Sequence, residues 1–211
     1  MTNPFLRKDQ LKKLLSRRDL LVKHKKALQV SVQEQKDLLD PEMLQLFQDQ
    51  NHATLKLYSE QIKALEDQIK KILNQEPSMS LNNKMAQSVV GVGLIIAAYM
   101  IATTENFTQF DNARKYASYS GIAPFLHNQS GVKKGIHKVS HLANKKMKSL
   151  LGMRSRAAIQ HDSEIKLYYQ RKINEGKEKG LVLNNVKNKI IQRVFAAVKR
   201  QSPYVKLMTY A

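Results

Sequence analysis

Apolar side chains recur along the first third of the chain at helical intervals. Leu55, Tyr58, Ile62, Leu65, Ile69 and Ile72 alternate steps of three and four without a fault, with glutamates and lysines at most of the positions between them. That spacing predicts the seam of a coiled coil. Upstream, over about residues 6 to 39, Leu11, Leu14, Leu21, Leu28 and Val32 keep the same rhythm, but Arg18 and Lys25 occupy two seam positions. Between the two segments, Asp40-Pro41 combines an N-cap residue with proline at the first helical position, which marks a helix restarting. Two helices joined in this way predict an antiparallel helical hairpin over residues 1–75, either closed on itself or pairing with a second copy. Its expected role is that of a spacer or homo-oligomerisation rod.

A polar, proline-bearing stretch follows, Gln75-Glu76-Pro77-Ser78-Met79-Ser80 with Asn82-Asn83, and it predicts a linker at 76–83. The remainder, 84–211, reads as a second unit. Apolar helical patterns fall there at about 84 to 103, 109 to 119, 141 to 160, 164 to 174 and 184 to 200, and Gly121, Gly176 and Gly180 stand where helix ends or turns use glycine. The fold class expected is all-α. The one place for a short β-hairpin or ordered loop is 122–139, rich in Gly, Asn, Ser and Lys. Val89 to Ala102, 14 residues, is the longest apolar run. A membrane-spanning helix needs about 20, so this run predicts a buried helix. No export signal is visible at Met1-Thr2-Asn3-Pro4-Phe5, and a cytoplasmic, nucleoid-associated protein without a membrane partner is the expectation.

Charge changes the picture. The 211 residues hold 36 Lys+Arg against 17 Asp+Glu, a formal net charge of +19, with a pI near 10.0. The excess is uneven. Residues 1 to 124 carry 17 basic and 13 acidic side chains, whereas residues 125 to 211 carry 19 and 4. Solubility alone does not require so one-sided a distribution, so a polyanionic partner for the last third is favoured over a merely solvated surface. An anionic membrane fits less well, because basic membrane helices pair their charge with Trp or Phe, and the chain has no Trp and 6 Phe. With no cysteine, disulfide scaffolds, thiolate metal sites and cysteine nucleophiles are excluded.

Three constellations carry candidate chemistry. Ser88 to Ala98 has the form of a helix, a tight Gly91-Val92-Gly93 turn and a second helix, a helix-hairpin-helix-like element. Such glycines let the backbone approach a phosphate while the next helix aims free N–H groups at it. They also permit plain close packing, and the pattern leaves both readings open. The second is Asn128 to Lys138, a polar loop in which Ser130 sits among Gly131, Gly135, Lys133, Lys134, Lys138 and His137. A serine hydroxyl becomes a nucleophile only when a base or metal takes its proton and cations stabilise the developing charge. Cations are present, but no carboxylate is near. On these residues alone an ordinary Ser-Gly turn is the stronger reading. The third is the basic helical run Asn144 to Arg156, with Leu150, Leu151 and Ala158 on a core face and Lys145, Lys148 and Arg156 mostly off it. That arrangement suits a helix lying along phosphates without reading bases. Further basic residues from Lys166 to Arg200, Lys187 and Arg193 among them, are interleaved with Tyr168 and Tyr169, and Tyr204 follows. These tyrosines stack on bases or simply pack. The histidines have no ligand spacing with carboxylates, and no metal site is expected in the chain.

Taken in order, Gly91-Val92-Gly93, Tyr116 to Pro124, Ser130-Gly131, and Lys138-Val139-Ser140-His141-Leu142-Ala143-Asn144 ending in Met147-Lys148 resemble one family. It is the C-terminal transposase domain of the bacterial insertion-sequence one-ten group, the bridge-RNA-guided recombinases with related DNA invertases. The likeness runs over about residues 84 to 204, and the preceding hairpin is similar to that family's coiled-coil connector. Ala143, His141 and Lys148 stand where glycine, lysine and arginine are common in the family.

The resemblance implies a DNA recombinase whose nucleophile is Ser130. Its DNA contacts would come from Gly91, Gly93, Gly131, Lys133, Lys134, Lys138, Asn144, Lys145 and Lys148. It implies a DNA partner and, with it, a guide RNA. Family members pair this serine with an N-terminal acidic, RNase H-like domain that binds magnesium. No carboxylate of this sequence matches that domain's motif, so magnesium is expected only there and the chain alone is expected to bind without cutting. The competing class is a non-enzymatic DNA- or RNA-binding helical protein in which Ser130 is a turn residue. A membrane-surface bundle ranks behind both.

Overall fold

A computed structural model of the chain describes residues 4–35, 38–110, 112–123 and 143–205. These residues form eight α-helices and no strand, so the all-α expectation holds for them. The β-hairpin or loop expected at 122–139 lies outside the described residues except for Ile122 and Ala123. The chain divides into two units, Met1–Gln75 and Glu76–Ala211.

In the first unit, α1 (Pro4–Gln35) packs along α2 (Pro41–Asn74). Asp40 caps α2 through Oδ1, which accepts from the Met43 N–H at 2.8 Å, and Pro41 takes the first turn. The pairing is antiparallel. Arg18 meets the Glu66 carboxylate at 2.7 Å, and seven residues further along α1 Lys25 donates to the Ser59 hydroxyl at 2.7 Å, seven residues back along α2. The two polar interruptions of the apolar seam thus each find a partner across the pair. At about 0–1 kcal/mol for exposed pairs, such contacts specify register more than they add stability. Leu11, Leu15 and Leu21 are buried on α1 and Ile69, Ile72 and Leu73 on α2. Leu15, absent from the seam read off the sequence, is buried, while Leu14 is half-buried.

The second unit is built around α8 (Lys179–Arg200). Helices α3 (Pro77–Gln87), α5 (Ala113–Tyr119), α6 (Lys145–His161) and α7 (Ser163–Asn174) all pack on α8, and α4 (Leu94–Thr103) packs on α3 and α6. Val182, Val186, Ile190, Val194, Ala197 and Val198 are buried along α8 at the helical period, which lets one helix serve several neighbours. Most of the stretch 76–83, read as a linker, is helical. Pro77 suits the first turn of α3, Glu76 takes the extended N-cap position, and Met79 is buried. Polar composition pointed to a loop there because Asn82 and Asn83, though buried, carry hydrogen-bonding groups that need partners. Asn82 accepts from Gln201 at 3.0 Å and donates to Asn106 at 2.9 Å.

Tyr116 lies at the centre of an aromatic cluster, wholly buried, its hydroxyl 2.9 Å from that of Thr103 and its ring 5.3 Å from Phe110 and 5.5 Å from Phe195. Burial pushes the phenol far above its ordinary range, so it acts as a packed, neutral group. The uniformly apolar α4 is enclosed, with Ile96, Ala97, Ala98, Met100, Ile101 and Ala102 buried. This agrees with the buried helix expected from the apolar run, which the glycine turn interrupts.

Candidate nucleic-acid interface

The two glycines of the Gly91-Val92-Gly93 turn have different duties. Gly91 has φ +91°, and a Cβ on it would stand 3.1 Å from the Arg154 carbonyl oxygen and 3.3 Å from the Ala158 Cβ. It is therefore required for the close approach of α6, and its backbone faces protein. Gly93 has φ −98° and ψ 179°, ordinary extended backbone, and a Cβ there would meet nothing within 4 Å. It occupies the N-cap of α4 with no side chain to satisfy the first-turn N–H groups.

Ser130, Gly131, Lys133, Lys134 and Lys138 lie outside the described residues. The stems on either side of that segment are both tied to α5. Ile122 and Ala123 donate to the Ala117 carbonyl at 2.9 and 3.2 Å, and Asn144 donates its backbone N–H to the Tyr119 carbonyl at 2.8 Å. Both stems thus meet the C-terminal turn of one short helix. Gly121, with φ +67°, reverses the chain there.

Asn144 also caps α6. Its Oδ1 accepts from the Met147 N–H at 3.0 Å and its Nδ2 donates to the Tyr119 hydroxyl at 3.1 Å. Both ends of the amide are engaged within the domain. Beyond it, α6 buries Met147, Leu150, Leu151, Ser155 and Ala158, exposes Lys145 and Arg156, and leaves Lys148 half-buried. The basic outer face read from the sequence is present on this helix.

Lys148, Gly152 and Arg156 are spaced by four and share one face of α6. Lys187 of α8 crosses to that face, its Cε 3.7 Å and its Nζ 4.0 Å from where a Cβ on Gly152 would be. Its ammonium donates to Asn184 Oδ1 at 3.0 Å. Burial, together with the charges of Lys148 and Arg156, pushes the Lys187 ammonium below the ordinary lysine range. The spacing of four on α6 was legible in the sequence. The arrival of Lys187 was not, since it depends on how α8 crosses α6, and Asn184 gave no signal at all.

Other basic and aromatic residues turn out to be structural. Arg193, 11% exposed, bridges Asp162 Oδ2 at 2.8 Å and Glu164 Oε2 at 2.7 Å. Tyr204 stacks 4.6 Å from its guanidinium and donates to Glu164 at 3.2 Å. Asp162 is 3% exposed and caps α7 through the Ile165 N–H. Tyr168 lies against Lys189, 4.5 Å from its ring centroid, and Tyr169 packs on the core. Of the two roles open to these tyrosines, packing is the one observed, because the folded domain brings cations and apolar side chains to their rings.

Among the described residues no group of three His, Asp or Glu side chains is placed to hold a metal ion. Asp162 and Glu164, which come together, are bound to Arg193, so they do not fit one.

Comparison with known proteins places this helical unit. Residues 83–170 match the sequence model of the transposase IS116/IS110/IS902 family. That stretch is similar to an IS110-family transposase domain. Over 153 residues, 71% of the chain, it is 24% identical to pilin gene-inverting proteins of Moraxella lacunata and Moraxella bovis, covering 47% of each. Over 156 residues, 74% of the chain, it is 28% identical to an uncharacterized 43.6 kDa protein of insertion element IS110 from Streptomyces coelicolor, covering 37% of it. The chain thus spans about half or less of the curated relatives it matches. The matched stretch takes in α4, α5 and α6 and the stems that flank the Ser130 segment. Among the described residues, no helix is long and apolar enough to cross a membrane.

Proposed function

We propose that this chain is a DNA-binding part of a recombinase in which Ser130 attacks a DNA phosphodiester. The observation that carries the reading is the family match across 83–170, which spans the Ser130 segment and both of its stems. The start of α4 at Gly93, which has no side-chain cap, and the cationic face of α6 would supply phosphate donors on the same unit. The Moraxella relatives are named for inverting a gene, a rearrangement that needs DNA strands cut and rejoined.

In the proposed step the Ser130 oxygen bonds to phosphorus and the bond to the 3′ oxygen breaks. The strand is held as a 5′-phosphoserine, the serine proton passes to a base, and the departing 3′ oxygen takes up a proton. Activation of the hydroxyl is assigned to an acidic, magnesium-binding domain, and these 211 residues by themselves bind DNA without cutting it. The helical hairpin of residues 1–75 is assigned to pairing two copies, residues 84–211 to DNA, and a guide RNA to target choice. Action on chromosomal DNA makes the protein cytoplasmic and nucleoid-associated.

The test is a nicked suicide substrate carrying the element's ends, incubated with the chain with and without a protein supplying the acidic domain. A denaturant-resistant protein–DNA adduct is expected only when both are present, and it is expected to vanish with Ser130→Ala. An adduct formed by Ser130→Ala would remove the serine assignment, and a complete absence of adduct leaves the non-enzymatic binding protein as the better description.

A further inference from the structure

Lys148, Arg156 and Lys187 put three cations around Gly152, and none of the ion pairs among the described residues involves them. Elsewhere in the unit arginine and lysine find carboxylates: Arg193 has Asp162 and Glu164, and Lys172 has Glu175. A half-buried ammonium beside two like charges is unfavourable in the free protein. The fold nevertheless builds this arrangement. Gly152 leaves the α6 backbone bare where Lys187 crosses it, and Asn184 fixes the ammonium there through a hydrogen bond.

We propose that this face, Lys148 and Arg156 from α6 with Lys187 and Asn184 from α8, is a seat for the sugar–phosphate backbone of duplex DNA. The inference rests on the DNA-binding reading and names the α6 and α8 residues that would hold the phosphates. Lys148 and Arg156 are eight residues apart, about 12 Å along the helix at about 1.5 Å per residue. A strand running beside α6 passes several nucleotides over that length at about 3.4 Å of rise each. An anion on the seat relieves the mutual repulsion of the three cations, so the strain of the free state becomes affinity in the complex. Contacts of this kind position the duplex without reading its sequence.

The experiment measures binding of the full 211-residue protein to a 30-base-pair DNA duplex of arbitrary sequence by fluorescence anisotropy over a range of salt. A single-stranded RNA of the same length is measured in parallel. Lys187→Met and Lys148→Met are each expected to weaken DNA binding about five- to tenfold and to lower the salt slope by about one. Lys63→Met, exposed on α2, is the control and is expected to change affinity less than about twofold. Lys187→Met is expected to melt at least as high as the parent, because the charge it removes is a repelled one, and this separates lost binding from lost fold. If Lys187→Met does melt lower, Lys148→Met decides alone. Parent protein that binds DNA, with variants that bind it equally well, would overturn the seat and leave the DNA-binding reading standing. Parent protein that fails to bind DNA at all would overturn both. Variants that lose RNA binding but keep DNA binding would make the face an RNA site and overturn the proposal.

Discussion

Asn144 holds Tyr119 at both its backbone and its hydroxyl: the Asn144 N–H donates to the Tyr119 carbonyl at 2.8 Å, and its side-chain Nδ2 donates to the phenol oxygen at 3.1 Å. The same side chain caps α6 through Met147. One residue therefore fixes where α6 begins relative to where α5 ends, and with it the base of the segment that carries Ser130.

Asn144→Ala removes the cap, at about 1 kcal/mol, and the tyrosine bond, at about 1 kcal/mol. Urea denaturation is expected to show a loss of about 1–2 kcal/mol with an unchanged dependence on denaturant. Asn144→Asp keeps the capping oxygen and should lose no more than the tyrosine bond, about 1 kcal/mol. Equal stability for Ala and the parent would mean that the stems do not depend on this residue.

The glycines of the α3–α4 turn are expected to separate on substitution. Gly91→Ala meets the Arg154 carbonyl and demands a left-handed conformation, and about 1–3 kcal/mol of stability should be lost. Gly93→Ala meets nothing within 4 Å, so the melting temperature should hardly move. If the N-terminal turn of α4 contacts phosphate, Gly93→Ala should weaken DNA binding severalfold in a protein that is otherwise intact. Unchanged affinity would take Gly93 out of the interface.

Arg193→Met leaves Asp162 buried without its cation, and the cost of breaking such a pair is about 3–5 kcal/mol. A lysine cannot match a guanidinium that reaches Asp162 with one nitrogen and Glu164 with the other, so Arg193→Lys should recover less than half of the loss. Calorimetric melts of the three proteins make the comparison. A small effect of Arg193→Met, with DNA affinity falling instead, would move Arg193 from the core to the interface.

The stability gap between Lys187→Met and the parent should depend on pH in one direction. In the folded protein the Lys187 ammonium is held below its ordinary value of 10.5. Below the folded value both states carry the proton and the folded state bears the full repulsion. Between the folded value and 10.5 the unfolded chain binds more protons, so parental stability rises with pH relative to the methionine variant. Melts from neutral pH toward pH 10.5 are expected to show the methionine variant's advantage narrowing, and a gap that widens would contradict the cluster.

Residue spacing and composition were sufficient to determine much of this protein: an all-α chain, the restart of a helix at Asp40-Pro41, the enclosed α4, the basic outer face of α6, and the motif order that resembles the transposase family. These are local or additive properties, written in periodicity, capping chemistry and charge, and they survive any arrangement of the helices. Tertiary structure decided the matters that depend on which surfaces meet. It assigned Gly91 to the packing of α6 and left Gly93 open, drew Arg193 and Tyr204 into the core, and brought Lys187 across Gly152 to join Lys148 and Arg156. It also tied Asn144 to Tyr119 across 25 positions of chain. A basic or glycine residue reads the same in sequence whether it faces a neighbour or solvent, because the distinction is made by the crossing of α8 over α6 and α7 rather than by anything within a few residues of it.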